Sequence, residues 1–277
     1  MKYFLDTEFH EFQKKPLFGK PIDTIELISI GIVSEELESN DLSNHTQDNI
    51  TSLYYSNKIA KGSYCRQYYA ICKEFDLKAA WNNEWLRENV VKNLFWQNEH
   101  PLYIEGKQYD FTYRNFKNLI NKYGKTKKQI AEEILDFVNT NGILVHKSNG
   151  SKEQNNIVFQ DIIEKYGKPE FYAYYADYDW VLFCWLFGRM VDLPNGFPMY
   201  CKDLKQMLDE HFILERDVYE YIESCISCNQ KVSLEDLKDI FHEDISKHPN
   251  YPKQTNGHNA LSDARWNREL YKFLKNL

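Results

Sequence analysis

No uninterrupted apolar run in this sequence approaches the roughly 20 residues that a membrane-crossing helix needs. A helical bilayer span is therefore not expected. An acidic pair is reached by residue 8, too early for the apolar centre of a cleavable secretory leader, so a cytoplasmic location is expected. The chain also lacks a Gly-rich phosphate loop and a nucleophile elbow, which sets aside the chemistries those motifs serve. Its six cysteines are scattered, and Cys225-x2-Cys228 has no second such pair, so reduced thiols fit better than a disulfide framework or a zinc module. There is no internal repeat and no clear linker. Positive charge is short as well, at a net −7, which disfavours a protein that grips a long duplex. It does not disfavour an enzyme that handles only a strand end. Few phosphate contacts are then needed, and a carboxylate metal site would itself account for several negative charges.

What is present is a packed globule: 43% of residues are hydrophobic and 16% aromatic, enough for a sizeable core, in one large domain or one domain with insertions. Lys2 to Phe9 begins as an apolar strand and carries Asp6 and Glu8, which point to one face because they are two residues apart. Two such acids repel unless they face open water or share a cation. Thr24 to Val33 predicts a second strand, closed by Gly31 and the turn Ser34-Glu35-Glu36, and Arg66 to Ile71 a third. The loop between the first two strands holds Phe9, Phe12, Phe18, Lys14, Lys15 and Lys20. The three strands make an antiparallel meander, with residues 38–63 as a polar insertion.

Helical spacing follows over Leu77 to Leu94, Phe111 to Lys122 and Lys127 to Asn139. Phe171 to Tyr175 reads as a short strand running into an apolar helix from Trp180 to Met190. Polar helices are expected over Asp203 to His211, Glu215 to Ser224 and Leu234 to Phe241, and an amphipathic one over Asn259 to Leu277. Strands first, then helices alternating with a strand, imply a mixed α/β (α+β) sheet.

Acids stand at three such junctions: Asp6 and Glu8; Asp179, with Asp177 competing for the same role; and Asp263, one turn into a last helix capped by Asn259, with His258 just before it. Each alone fits a solvated acid or a cap equally well. Glu26, inside an apolar strand, needs a polar partner and is a candidate support for the site.

Asp6-x-Glu8, Tyr178-Asp179 and His258-x4-Asp263, in that order, resemble the DEDDh branch of the ribonuclease H-like 3′→5′ exonucleases. YFLDTEF, TIELISIGIV, YAYYADYDWVLFCWLFGRM and HNALSDAR are most similar to its bacterial polyadenylate-preferring exoribonucleases (RNase AS). The resemblance implies a ribonuclease H-like fold in a single domain over 1–277, with insertions near 38–63, 95–165 and 211–255. It implies two Mg²⁺ (or Mn²⁺) ions held by Asp6, Glu8, Asp179 and Asp263, with His258 as the base. Oxygen-only ligands suit such hard cations, and two of them stabilise both the attacking and the leaving oxygen of a phosphodiester; an imidazole ordinarily titrates near neutrality and can take the water's proton. It further implies that Thr7, through its backbone, meets the terminal nucleotide, with Glu8 suited to accept from its 3′-hydroxyl; Phe9 and Phe12 could stack on a base, although aromatics in such stretches more often belong to the core. The expected partner is a single-stranded RNA 3′ end. A DNA exonuclease and a catalytically silent nucleic-acid-binding protein are the alternatives. Members often pair, so a homodimer is possible. Arg265 and Arg268 are expected to meet acids or substrate phosphate.

Overall fold

The aromatic opening Tyr3-Phe4-Leu5 has no charged side chain and sits at strand period, so each of its two faces can be buried separately. In the computed structural model, which describes residues 1–16, 18–38, 55–59, 63–96, 110–140, 167–210, 245 and 248–277, it becomes the middle of a mixed sheet. Strand β1 spans Lys2–Lys14, β2 Ile22–Ser34, β3 Leu37–Glu38, β4 Tyr55–Ile59, β5 Ser63–Ile71, β6 Glu170–Ala173 and β7 Lys202–Asp203. Their order is β3-β5-β2-β1-β6-β7, with β4 also paired to β5. The expected meander is there: β1, β2 and β5 run antiparallel. β6 and β7 then add in parallel. The mixed α/β class is as expected.

β1 and β2 are longer than the sequence pattern suggests. Phe9, Phe12 and Lys14 lie on the strand rather than in a loop, and only residues 15–21 connect the two. Gly31 does not close β2, which continues to Ser34. One irregularity interrupts the ladder: Glu8 pairs with Ser29 but Phe9 pairs with Leu27. The extra residue, Ile28, switches the phase of β2. Ile25 and Leu27 before the bulge, and Ile30 and Ile32 after it, thereby all enter one core, whereas Ile28 enters another.

The first core lies between the sheet and two helices, α5 (Lys127–Thr140) and α6 (Ala176–Phe187), and joins Tyr3, Leu5, Ile130, Ile134, Phe137 and Phe183. Residues 127–138 are thus a covering layer of the main sheet, not an appendage within 95–165. On the opposite face, α7 (Ala260–Lys275) packs Leu270, Phe273 and Leu274 on Phe4 and Tyr172. Each such side chain contributes about 1.5–3 kcal/mol of burial. The stretch expected as one helix over Leu77 to Leu94 is broken. It forms α1 (Leu77–Asn82), α2 (Glu84–Leu86), a wider turn over Arg87–Val91 and α3 (Asn93–Trp96). Asn83 is extended and spends its side chain capping Leu86 N–H, which ends one helix and starts the next. These pieces and α4 (Tyr113–Tyr123) enclose the second core. Helical residues 204–210 agree with part of the expected segment over Asp203 to His211. The segments Glu215 to Ser224 and Leu234 to Phe241, and Cys225 and Cys228, lie outside the described residues. Cys65, Cys72, Cys184 and Cys201 are free thiols. No helix among the described residues is long and apolar enough to cross a membrane.

Candidate carboxylate site

The site forms where β1 outruns its neighbour. The parallel ladder between β1 and β6 ends at Phe4↔Tyr172, so from Asp6 onward that edge of β1 has no strand beside it. Phe4, Asp6 and Glu8 share the face that α7 covers. Tyr3, Leu5 and Thr7 share the other, under α6.

Two features press the start of α7 onto the sheet here. Gly31, the cross-strand partner of Asp6, has no side chain, and a Cβ there would stand 2.3 Å from the Ala260 carbonyl oxygen. Asn267, buried on α7, donates from Nδ2 to the Leu5 carbonyl at 2.9 Å. Asn259 caps the helix as expected, accepting from Ser262 N–H at 2.9 Å, and this puts Asp263 one turn in. Asp6, Glu8 and Asp263 then each offer a carboxylate oxygen within 4.8 Å of the others.

Asp179 arrives from the other face. Helix α6 begins at Ala176, four residues before the expected Trp180, so Asp179 lies within its first turn rather than at the strand–helix junction. Tyr175, the residue before the helix, gives no side-chain cap; Asp203 on β7 replaces it, accepting from Ala176 N–H at 2.9 Å. Asp177 is exposed, whereas Asp179 is 5% exposed and accepts from both the Thr7 amide (2.8 Å) and the Thr7 hydroxyl (2.5 Å) on Oδ1. Thr7, expected to use its backbone on the terminal nucleotide, therefore commits its N–H to this acid.

The electrostatics of the four acids agree. Burial, then the charges of Asp179, Glu8 and Asp263, holds the Asp6 carboxyl well above the ordinary range. Burial followed by Asp263 and Asp179 does the same to Glu8. Burial pushes Asp179 up to about 7, against the opposing pull of the Thr7 bonds. Asp263 is raised by burial, although Gln254 Nε2 (2.7 Å) and Asn259 N–H (3.1 Å) both donate to it. Among the described residues no Lys or Arg lines the cleft these acids occupy. The donor set is all oxygen and strongly anionic, and it lacks a protein cation, so it fits hard divalent ions.

The cleft encloses about 510 Å³. Its floor is Asp6, Glu8 and Asp263, and its far wall comes from Asn83, Trp85, Leu86 and Val90. His258 stands at the rim, exposed, in the left-handed region at φ 63°, on the residue before the cap Asn259. Phe9 lines the cleft with its ring edge-on to Tyr178, centroids 5.4 Å apart. Phe12 stacks on His10 at 4.5 Å. Lys14, Lys15 and Lys20 are exposed near the hairpin tip and are not part of the lining. Glu26 is not a support for the site, since its Oε2 accepts from Asp76 N–H at 2.7 Å. Nor do the arginines of α7 meet these acids: Arg265 donates to Gln67 Oε1 at 2.7 Å and Arg268 pairs with Glu269 at 2.7 Å. They line a larger hollow of about 1020 Å³ on the outer side of α7.

Sequence reasoning missed Gln254, Asn267 and Trp85. None belongs to a spaced motif. Each acts through a backbone carbonyl, a ring face or another residue's carboxylate, which only the fold brings near.

No protein-family model matches the chain. It is similar to two curated proteins of Mycobacterium tuberculosis, from strains CDC 1551 / Oshkosh and ATCC 25618 / H37Rv, both named 3′-5′ exoribonuclease. To each it is 24% identical over 210 residues, which cover 76% of this chain and 75% of the relative.

Proposed function

We propose that this chain is a divalent-metal-dependent 3′→5′ exoribonuclease of the DEDDh type, acting on single-stranded RNA and releasing 5′-mononucleotides. The observation that carries the reading is the convergence of Asp6, Glu8 and Asp263 within 4.8 Å, with buried Asp179 beside them. Four acids whose protons are held this high form a site that is electrostatically incomplete without cations. The names of the two relatives support the reaction class, and a three-strand meander continued by parallel strands supports a ribonuclease H-like fold.

Asp6, Glu8, Asp179 and Asp263 would hold two Mg²⁺ or Mn²⁺ ions, which when bound supply charge stabilisation to the attacking and leaving oxygens of the phosphodiester. The chain's own groups do the rest. Thr7 fixes Asp179 by two hydrogen bonds to one oxygen, Oδ1. Gln254 and Asn259 orient Asp263 by one hydrogen bond to each of its oxygens, Oδ1 and Oδ2 respectively. His258, at the rim, takes the proton of the attacking water. Water adds to phosphorus, the bond from phosphorus to the 3′ oxygen of the preceding nucleotide breaks, and that oxygen is protonated to give a new 3′-hydroxyl. Glu8 accepts from the 3′-hydroxyl of the terminal nucleotide, and Phe9 in the cleft wall packs on its base. Preference for adenylate is part of the same proposal.

The test is hydrolysis of 5′-labelled RNA and DNA oligomers of one sequence, with Mg²⁺ and with chelator. Stepwise shortening of RNA from the 3′ end, abolished by chelator and by a 3′-phosphate block, is expected. Faster shortening of DNA would replace RNA as the substrate. No shortening of either, with binding retained, would leave a silent binding protein and overturn the reading.

A further inference from the structure

His258 lies on a loop whose backbone is costly to hold. Both His258 (φ 63°) and Asn256 (φ 55°) occupy the left-handed region without being glycine. Such a residue costs about 1 kcal/mol or more and persists only where its surroundings impose it. On the Asp263 side, Gln254 binds the acid and Ser262 Oγ donates to the Thr255 carbonyl at 2.5 Å. The histidine end is held from a different part of the chain. Asn93 Nδ2 reaches the His258 carbonyl at 2.9 Å and the Gly257 carbonyl at 3.1 Å. The Trp85 indole meets the His258 ring edge to face, centroids 5.0 Å apart and planes at 79°.

Trp85 and Asn93 share a face because of a local irregularity. Eight residues of regular α-helix turn about 80° past two full turns, which would aim the two side chains apart. Between them the helix widens over Arg87–Val91, where Lys92 N–H reaches back five residues to the Arg87 carbonyl at 3.0 Å. A wider turn advances less angle per residue and brings the two side chains back into line. Asn89 completes the column. Its Nδ2 donates to the Trp85 carbonyl at 2.8 Å, and Asn93 Nδ2 donates to the Asn89 carbonyl at 2.6 Å.

We infer that Trp85 and Asn93, brought into line by the widened turn between them, form a positioning arm for His258, with Asn93 holding the loop's carbonyls and Trp85 orienting the imidazole. That His258 is held is independent of the chemistry; that holding it matters for catalysis rests on the exonuclease reading above. The arm makes the base part of a preformed cleft, because a group misplaced by about 1 Å can lose on the order of 100-fold in rate.

The experiment uses the full chain and two readouts. The first is the NMR spectrum of the metal-free protein with ¹³C-labelled histidine, the His258 signal being assigned by its loss in His258→Ala. A ring-current-shifted signal is expected in the wild type, moving to the averaged position of a solvated histidine in Trp85→Ala and in the near-isosteric Asn93→Asp, which cannot donate. An unshifted wild-type signal, or one unmoved by both substitutions, would overturn the inference whatever the protein's activity. The second is steady-state hydrolysis of RNA. Asn93→Asp should lower kcat about 10- to 100-fold with KM within about twofold, and should cost nothing further in a His258→Ala background. An unchanged kcat, or an equal loss without His258, would overturn the catalytic role. A wild type that hydrolyses nothing would instead count against the exonuclease reading, while the spectra still decide whether His258 is held. The melting temperature of Asn93→Asp separates local displacement from global unfolding; if that variant melts early, Trp85→Ala, exposed at 57%, carries the same two readouts.

Discussion

At the scale of single residues, four buried carboxyls held close together repel one another once they ionise. Asp6→Asn should abolish metal-dependent cleavage, a loss of about 1000-fold or more for a ligand that also helps place the reacting groups. The same change removes one of four carboxyls held close together, so in chelator the variant should melt several degrees above the wild type, as removal of a functional strain commonly does. A variant that is inactive because it is unfolded would melt lower, so calorimetry and the cleavage assay together separate the two. Thr7→Val keeps the amide bond to Asp179 and deletes the hydroxyl bond. It should lower kcat about tenfold, since one hydrogen bond to a charged group contributes about 1.5–3 kcal/mol. Asp6, Glu8 and Asp263 were legible because a strand's period of two and a capped helix turn are local rules, and Asn259 obeys its rule. The bond from Thr7 to Asp179 was not, because the two lie 172 residues apart in the chain.

Elements show where local rules stop. The β2 segment carries Ile25 and Leu27 in one phase and Ile30 and Ile32 in the other, a signature of a bulge that the apolar run concealed. The long stretch from Leu77 keeps helical spacing through a break, because Asn83 caps the next helix without disturbing the buried stripe. Gly31 reads as a strand end by composition, yet its backbone is ordinary strand and its reason is the helix lying on it. Gly31→Ala is therefore the sharpest test of how α7 is seated. The added methyl meets backbone rather than a flexible side chain, so the helix start must shift. A loss of about 2 kcal/mol is expected, as for other overpacked positions. Because Asp263 moves with the helix, activity should fall by about 100-fold, more than the stability change explains. Measuring kcat well below the melting temperature checks this; a variant with lowered stability and full activity would show that the seating of α7 does not set the site.

Over the whole molecule, the acid cluster should make folding, protons and divalent ions interdependent. All four carboxyls hold their protons more tightly in the folded chain than free acids do, Asp179 up to about 7. A raised acid pKa means that the folded state binds more protons than the unfolded one between pH 4 and the raised value, so stability falls as pH rises through that window. The Asp179 contribution is fully present below about pH 4, where unfolded carboxyls are also protonated, and is lost as pH rises through about 7. In chelator the melting temperature should thus drop between pH 5 and pH 8, on the order of 5 °C or more. Divalent ions take the place of the protons, so with saturating Mn²⁺ the drop should vanish and the stabilisation by the ion should grow with pH. Proton release on adding Mn²⁺ at pH 6.5 would report the same exchange directly. Asp6→Asn should flatten the slope in chelator and abolish most of the Mn²⁺ effect, which separates the cluster from other titrating groups. A wild type whose melting temperature in chelator rises from pH 5 to 8, with no response to Mn²⁺, would mean that these acids ionise freely and that the cleft has no need of a cation.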